Sequence, residues 1–315
     1  VAQKQVSDQP SVQELIAKSS NKKQKQLVEK LIPIILFIIA SISVLTTIGI
    51  VLTLIVETII FFKDIPVFSF LFGTEWYPFA NKEPAFGILP LIAGTLKVTI
   101  IAVIVAVPFG IGSAIFLSEY ASDTTRRIIK PILEILAGIP TIVYGFFALT
   151  FVTPLLQQFI PDLKIFNALS PGIVVGIMIL PMIASLSEDA MSSVPNSIRE
   201  GALAMGSTKL EVALKVVVPA ALSGIVASVV LAISRAIGET MIVSLAGGST
   251  PKFDFDVTGS IQTMTAYIVQ VSSGDAGYGT TIYYSIYSVG FTLFLFTLVM
   301  NLIAHAISKK YREEY

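Results

Sequence analysis

Arg235 and Glu239 stand four residues apart inside an otherwise apolar run, Ala232-Ile-Ser-Arg235-Ala-Ile-Gly238-Glu239-Thr240-Met241. On a helix that spacing puts both side chains on one face, where they can pair, although the order with the base first is the weaker one. An arginine in hydrocarbon costs at least about 2.5–3.5 kcal/mol on insertion scales, so its presence needs a reason. One reason is internal: a salt bridge that makes the segment tolerable. The other is chemical: Arg235 lines a path and meets an oxyanion through its planar fork of donors, while Glu239 competes for the guanidinium and keeps binding weak enough for release. Ser234 and Thr240 can add polar contacts or spend their hydroxyls on the backbone. Lys97, about ten residues into another apolar run, can attract an anion or snorkel to the outer interface.

Several other chemistries are excluded. The chain has no cysteine, hence no disulfide, thiolate metal site or cysteine nucleophile. Its single histidine, His305, cannot build a multi-histidine metal site and reads as an interfacial side chain. Gly201 and Gly206 have the glycine spacing of a phosphate-binding loop, but Ser207 occupies the lysine position and no strand precedes it, so the phosphate cradle is absent. No catalytic residue, metal or cofactor is expected, and the chain is not expected to hydrolyse a nucleotide itself. Formal net charge is zero, and no nucleic-acid partner is expected.

The elements that must position these residues are membrane helices. The sequence is 54% hydrophobic and only 13% charged, against about 25% charged in soluble proteins, and its mean hydropathy is +0.82. Apolar runs of about 20 residues or more, each able to span the hydrocarbon core as a helix, recur along the chain; the short alternating segments of a barrel do not. The expected class is an all-α membrane protein with six transmembrane helices at about 31–62, 87–117, 131–156, 168–190, 217–246 and 282–307. Residues 1–30 read as a polar, lysine-rich tail, 31–307 as the six-span membrane domain, and 308–315 as a second short tail. The first run, Leu31 to Val56, is too long for a signal-peptide core and lacks a small-residue cleavage site, so it is read as a retained span.

Lysine and arginine set the orientation. With the amino terminus inside, the six basic residues of the tail, Arg126, Arg127, Lys130, Arg199, Lys209, Lys215, Lys309, Lys310 and Arg312 are cytosolic, and Lys63, Lys82, Lys164 and Lys252 lie outside. That asymmetry is a strong positive-inside bias, and both termini are expected in the cytosol. Several spans are interrupted, by Pro108 in the second, Gly138-Ile139-Pro140 in the third and Pro171 and Pro181 in the fourth. Such breaks free backbone groups that neighbouring helices or a wet cavity must satisfy. Gly172-x-x-x-Gly176 suits close helix packing. Glu57 and Glu134 lie near span ends, and the outer loop 247–281 reads as a gate or docking surface.

The cytosolic loop 191–219 carries a further pattern. After Pro195 and Ser197 come good helix formers to Met205; Gly206 ends that helix, and a second stretch runs from 208 to 217 into Pro219. Glu200, Gly201, Ala202, Gly206, Val216, Val218 and Pro219 fall at the spacing Glu-Ala-Ala, three residues, Gly, nine residues, Ile-x-Leu-Pro, and the segment resembles the EAA loop of ABC-importer permeases. Gly201 replaces the first alanine and valines replace isoleucine and leucine. The resemblance implies that residues 197–210 form a coupling helix that docks into the ATPase subunit.

Arg235-Ala-Ile-Gly-Glu-Thr-Met in turn resembles the Arg-Ala-x-Gly-Glu-Thr-Met stretch of the phosphate-specific transport permeases, the PstC-type subunit in particular. Gly94-Thr-Leu-x-x-Thr99, Ala106-Val-Pro108, Ile115-Phe-Leu-Ser-Glu119 and Ile139-Pro-Thr-Ile-Val-Tyr144-Gly145 support it in family order across most of residues 87–300. The resemblance implies a type I ABC importer permease fold in the bacterial inner membrane, with phosphate as cargo and Arg235 and Glu239 in its passage. It also implies a homologous second permease, a pair of ATP-binding subunits and an extracytoplasmic phosphate-binding protein as partners, besides membrane lipid. The residues alone leave two other readings open: an ion-coupled secondary anion transporter or channel using the Arg235–Glu239 pair, and a membrane scaffold without a pathway.

Overall fold

The computed structural model describes residues 22–80 and 83–310; residues 1–21 of the expected tail, Lys82 and residues 311–315 lie outside the described residues. The first helix, α1 (Lys22–Asp64), begins inside the expected polar tail and carries Pro33 without a break. By their contacts the residues divide into two units, Val1–Thr53 and Leu54–Tyr315. The described part of the first unit is helical throughout, and its leucines and isoleucines from Leu31 to Leu52 are exposed. A helix apolar all round is suited to lipid, not water.

The second unit is organised by two long helices, α3 (Leu89–Ile115) and α7 (Leu169–Ser192). Before them come the short α2 (Val67–Phe72) and an antiparallel pair, β1 (Trp76–Tyr77) and β2 (Ala85–Phe86), with Trp76 opposite Phe86 and Tyr77 opposite Ala85. Gly172 and Gly176 let α7 press on α3: a Cβ at Gly176 would come within 2.9 Å of the Ala102 carbonyl oxygen, and one at Gly172 within 2.7 Å of Ile101. Bare backbone thus meets backbone, the small-residue mode of packing expected where lipid supplies no hydrophobic drive between helices. Val98, Ala102, Val174, Val175, Met178 and Ile179 are buried along this contact.

The sequence suggests six spans, several of them interrupted, and two of the interruptions are sharp bends. Four helical segments among the described residues are long and apolar enough to cross a bilayer, Glu29–Asp64, Leu89–Tyr120, Leu169–Ser192 and Thr281–Ile307; the number rises to six if each of two sharply bent pairs is one span. In the first pair α4 (Asp123–Gly138) meets the segment Thr141–Gln157 at 86°. Pro140 explains the corner, because it drives Ile139 out of the helical region to φ −66°, ψ 130°. Residues 131–138, expected inside the third span, therefore belong to α4, an amphipathic helix with no buried residue. Beyond the corner lie α5 (Thr141–Phe147), one π-helical turn (Ala148–Val152) and α6 (Thr153–Gln157).

The second bent pair follows α7. A loop helix, α8 (Asn196–Ala204), leads to α9 (Lys209–Val212), a π turn (Ala213–Val217) and α10 (Val218–Ala220). At Ala221 the chain turns by 73° into α11 (Leu222–Ile237), breaks again at residues 238–240 and resumes as α12 (Met241–Ala246). The expected span 217–246 is thus three helices. The apolar stretch in the outer loop folds as α13 (Met264–Gln270), whose Tyr267 is buried edge-on against Trp76 at 4.8 Å. The last helix is α14 (Thr281–Lys310).

Valine at position 176 must displace the Ala102 carbonyl, whereas nothing lies within 4 Å of a Cβ at Gly112 on the same pair. Gly176→Val is expected to destabilise the chain by about 1–3 kcal/mol, as over-packing does, and Gly112→Val by much less; thermal unfolding in detergent compares the two.

Candidate functional site

Arg235 lies in the last turn of α11 and its side chain is exposed. It lines a cavity of about 400 Å³ with Lys130, Leu133, Glu134 and Ala137 of α4 and Pro181, Met182, Ser185 and Leu186 of α7. Among the described residues no ion pair or hydrogen bond engages its guanidinium. The expected Arg235–Glu239 bridge is not formed, because the helix on which four-residue spacing would align them ends at Ile237. Gly238 caps α11, donating its N–H to the Ser234 carbonyl at 3.3 Å. Glu239, only 7% exposed, turns its Oε1 to the Ile242 N–H at 3.2 Å. A carboxylate at the start of α12 meets unpaired backbone donors and the positive end of the helix dipole. Thr265 of α13 donates to the Glu239 carbonyl at 2.7 Å and fixes the corner.

The hydroxyls beside Arg235 are already engaged. Ser234 donates to Asn301 Oδ1 of α14 at 2.7 Å, and Thr240 to the Gly238 carbonyl at 3.1 Å. Lys97 is 9% exposed, and its Nζ donates to Asp254 Oδ1 at 2.5 Å and the Asp256 carbonyl at 3.0 Å. The ammonium expected to attract an anion or snorkel is instead committed to a carboxylate 157 residues away, a contact that local sequence does not announce. Asp256 in turn accepts from the Thr258 hydroxyl at 2.7 Å and its N–H at 2.8 Å. Those two bonds, with Lys97 and Lys164 nearby, hold the Asp256 carboxyl below its usual range. Its contribution to stability is therefore present at neutral pH and is lost as pH falls through the lowered folded value. Of the five residues singled out for the pathway, only Arg235 presents a free polar group to the cavity. Glu134, read as a span-end carboxylate, shares that cavity.

The loop pattern folds as a lever. Gly206 ends α8 at φ +89°, a left-handed conformation in which any side chain is strained. Its N–H donates to the Leu203 carbonyl at 2.9 Å, and the Ser207 N–H to the Ala202 carbonyl at 3.3 Å, the paired bonds of a Schellman cap. Thr208 caps α9 through a reciprocal box with Glu211. Glu200, Gly201 and Leu203 are exposed, Met205 is 88% exposed, and Ala202 packs inward against a cluster that includes Met191, Val194 and Val212. Pro219, also exposed, sits in α10 just before the 73° turn.

Sequence reasoning passed over the ion network beneath this loop. Glu188 of α7 is 1% exposed and faces Lys130 and, at 3.5 Å, Arg126. Arg199 of α8 pairs with Glu119 at 3.2 Å. The available signal was the crowding of Arg126, Lys130, Arg199, Glu119, Glu188 and Asp189 at three neighbouring span ends.

Broken apolar helices around a cavity that Arg235 and Lys130 line, with an exposed loop helix, are features a transport permease requires. Residues 106–313 match the family model described as binding-protein-dependent transport system inner membrane component, and the chain belongs to that family of inner-membrane proteins. It is 36% identical over 245 residues to the probable ABC transporter permease protein YqgH of Bacillus subtilis, covering 77% of this chain and 78% of that protein. It is 34% identical over 256 residues to the phosphate transport system permease protein PstC of Xylella fastidiosa, covering 75% and 77%. Among solved structures, a permease of a bacterial alginate ABC transporter, crystallised with an alginate pentasaccharide-bound periplasmic protein, aligns with a TM-score of 0.60 at 17% identity over 93% of this chain and 96% of that one. The inward-facing MetNI methionine ABC transporter aligns at 0.53 over 72% and 95%. The type I ABC importer permease fold expected from the sequence is the fold found.

Asp254→Ala leaves the Lys97 ammonium buried without its carboxylate, whereas Lys97→Met with Asp254→Ala removes both charges. The single substitution is expected to lower the unfolding temperature more than the double, since stranding the buried Lys97 ammonium without a counter-charge is the costlier change. Equal losses would show that the pair does not hold the outer loop.

Proposed function

We propose that this chain is one of two permease subunits of an ATP-driven importer of inorganic phosphate. The loop 195–219 meets the ATPase, and an extracytoplasmic binding protein delivers the anion. The positive-inside count supports placing α8 and both termini in the cytosol. Relatives named as phosphate transport permeases support the cargo. The observation that carries the passage reading is the Arg235 guanidinium, which lines a cavity with Lys130 and has no ion pair or hydrogen bond among the described residues. A tetrahedral oxyanion matches that planar fork of donors. Glu239 cannot moderate the binding, because its carboxylate caps α12. Glu134 lines the same cavity and is the carboxylate placed to compete with phosphate and favour its release.

The reading as an ion-coupled anion transporter required an Arg235–Glu239 relay, and that pair is not formed. The chain also belongs to a family of binding-protein-dependent permeases, whose motion is expected to come from a nucleotide-driven partner. Exposed Glu200, Gly201 and Leu203 on α8, with Met205 at its carboxyl cap, supply the face such a partner would grip.

Reconstituted with its ATPase, second permease and binding protein, the complex should take up labelled phosphate in an ATP-dependent manner. Arg235→Gln should reduce uptake at least about tenfold, the equivalent of about 1.4 kcal/mol, with assembly unchanged, and Arg235→Lys should retain part of it. Uptake by Arg235→Gln at the wild-type rate would remove Arg235 from the path. Gly206→Ala forces a Cβ into the left-handed region at about 1–2 kcal/mol. It should weaken ATPase co-purification while leaving membrane insertion intact.

A further inference from the structure

Arg199 carries no role in the loop pattern, yet its guanidinium is the most fully engaged group on the face that bears α8. Nε and Nη2 both donate to Glu119 Oε1 at 3.2 Å. Nη2 also donates to the Met191 carbonyl at 2.7 Å, and Nη1 to the Val194 carbonyl and to Asn196 Oδ1 at 3.2 Å. Five donated bonds exhaust the five N–H groups of the side chain. They reach three separate places: the π turn Phe116–Tyr120 that ends α3, the carboxyl end of α7, and the start of α8.

Two of those acceptors take Arg199 as a further donor: the Met191 carbonyl also receives the Val194 N–H at 3.2 Å, and Glu119 Oε1 the Ser118 hydroxyl at 2.9 Å. The carbonyls at a helix carboxyl end have no partner within the helix, and a cation there also meets the negative end of the dipole. Arg126 serves the same π turn in this way, donating to the Leu117 and Ser118 carbonyls at 2.8 and 3.2 Å. Arg199 is 15% and Glu119 10% exposed, so water competes little for the pair.

Apolar packing alone does not fix α8. The helix has no buried residue, and only Ile198 and Ala202 touch the cluster beneath it. Further along, the loop leads through a 73° turn into α11, the helix of Arg235. A push on α8 could therefore be taken up within the loop, or it could move α3 and α7, which are locked together at Gly172 and Gly176.

We infer that Arg199 is a positioning residue that fastens the coupling helix to the α3–α7 pair through Glu119 and the Met191 and Val194 carbonyls, so that displacement of α8 moves those two spans as one body. The inference rests on the reading of α8 as the ATPase-docking helix. Without the tie, the ATPase still docks and turns over, but its stroke is lost between α8 and the spans.

The test uses the reconstituted complex, and the chain has no native cysteine to interfere. In Arg199→Ala and Glu119→Ala, complexes should assemble and hydrolyse ATP, while phosphate imported per ATP falls at least about tenfold. In the double variant Glu119→Cys with Arg199→Cys, a short reversible bis-thiosulfonate cross-link should restore the ratio, and reduction should abolish it again. An unchanged ratio in Arg199→Ala overturns the inference. A lowered ratio that the cross-link fails to restore also overturns it, since the residue would then matter only for local structure. A second measurement does not depend on cargo: spin labels at Ser197→Cys and Gly112→Cys should report a narrow distance distribution in the otherwise native complex and a broad one with Arg199→Ala. Equal widths count against the tie. If the native complex imports no phosphate, the function proposed above is lost, while the label distances still decide the role of Arg199.

Discussion

The close approach of α3 and α7 is the contact on which the other arrangements rest. In water two such helices would be pressed together by burial of their apolar faces; between lipid tails that drive is absent, and backbone proximity must supply the attraction. Gly172 and Gly176 provide it by presenting no side chain to Ile101, Ala102 and Val105. Once the pair is fixed, its two ends become platforms. Lys97, in the third turn of α3, holds the outer loop through Asp254 and Asp256. At the opposite ends, Glu119 and the last carbonyls of α7 receive Arg199. The middle of α7, around Pro181 and Ser185, forms one wall of the cavity that Arg235 faces.

Beside this pair the chain breaks at Ile139–Pro140 and at residues 238–240, and both breaks have a partner that satisfies them. The corner at Ile139–Pro140 follows from steric restriction of the residue before proline. The Tyr144 hydroxyl then donates to the Leu136 carbonyl at 2.8 Å across that corner. The break at residues 238–240 is closed by the Glu239 carboxylate on one side and the Thr265 hydroxyl on the other. Irregular backbone at membrane depth survives only where protein or a wet cavity replaces the lost helix bonds. The same breaks leave a guanidinium facing a cavity with its own nominal partner turned away. Free cation and capped carboxylate are two consequences of one interruption.

Much of the architecture was legible in the residues. Run length and charge asymmetry gave the membrane class and the main helices, and the ends of α7 and α14 lie within a few residues of the expected spans. Gly206 announced the end of the loop helix, because a left-handed cap is local chemistry. Arg235 could be singled out because an arginine in an apolar run is unusual whatever surrounds it. The partner assigned to it was wrong for a local reason: helical spacing was extended across Gly238, where the helix stops.

The sequence by itself therefore determined the elements with short-range causes: apolar run lengths, proline corners, glycine caps and the bias of basic loops, together with the family pattern of the loop 191–219. Tertiary structure decided who meets whom. Lys97 with Asp254, Arg199 with Glu119, and Glu134 with Arg235 in one cavity join residues far apart in the chain. No periodicity encodes such pairs. They follow from which helix ends and walls the α3–α7 contact brings within reach, and from the requirement that every charge drawn out of water find an opposite charge, a dipole or a cavity.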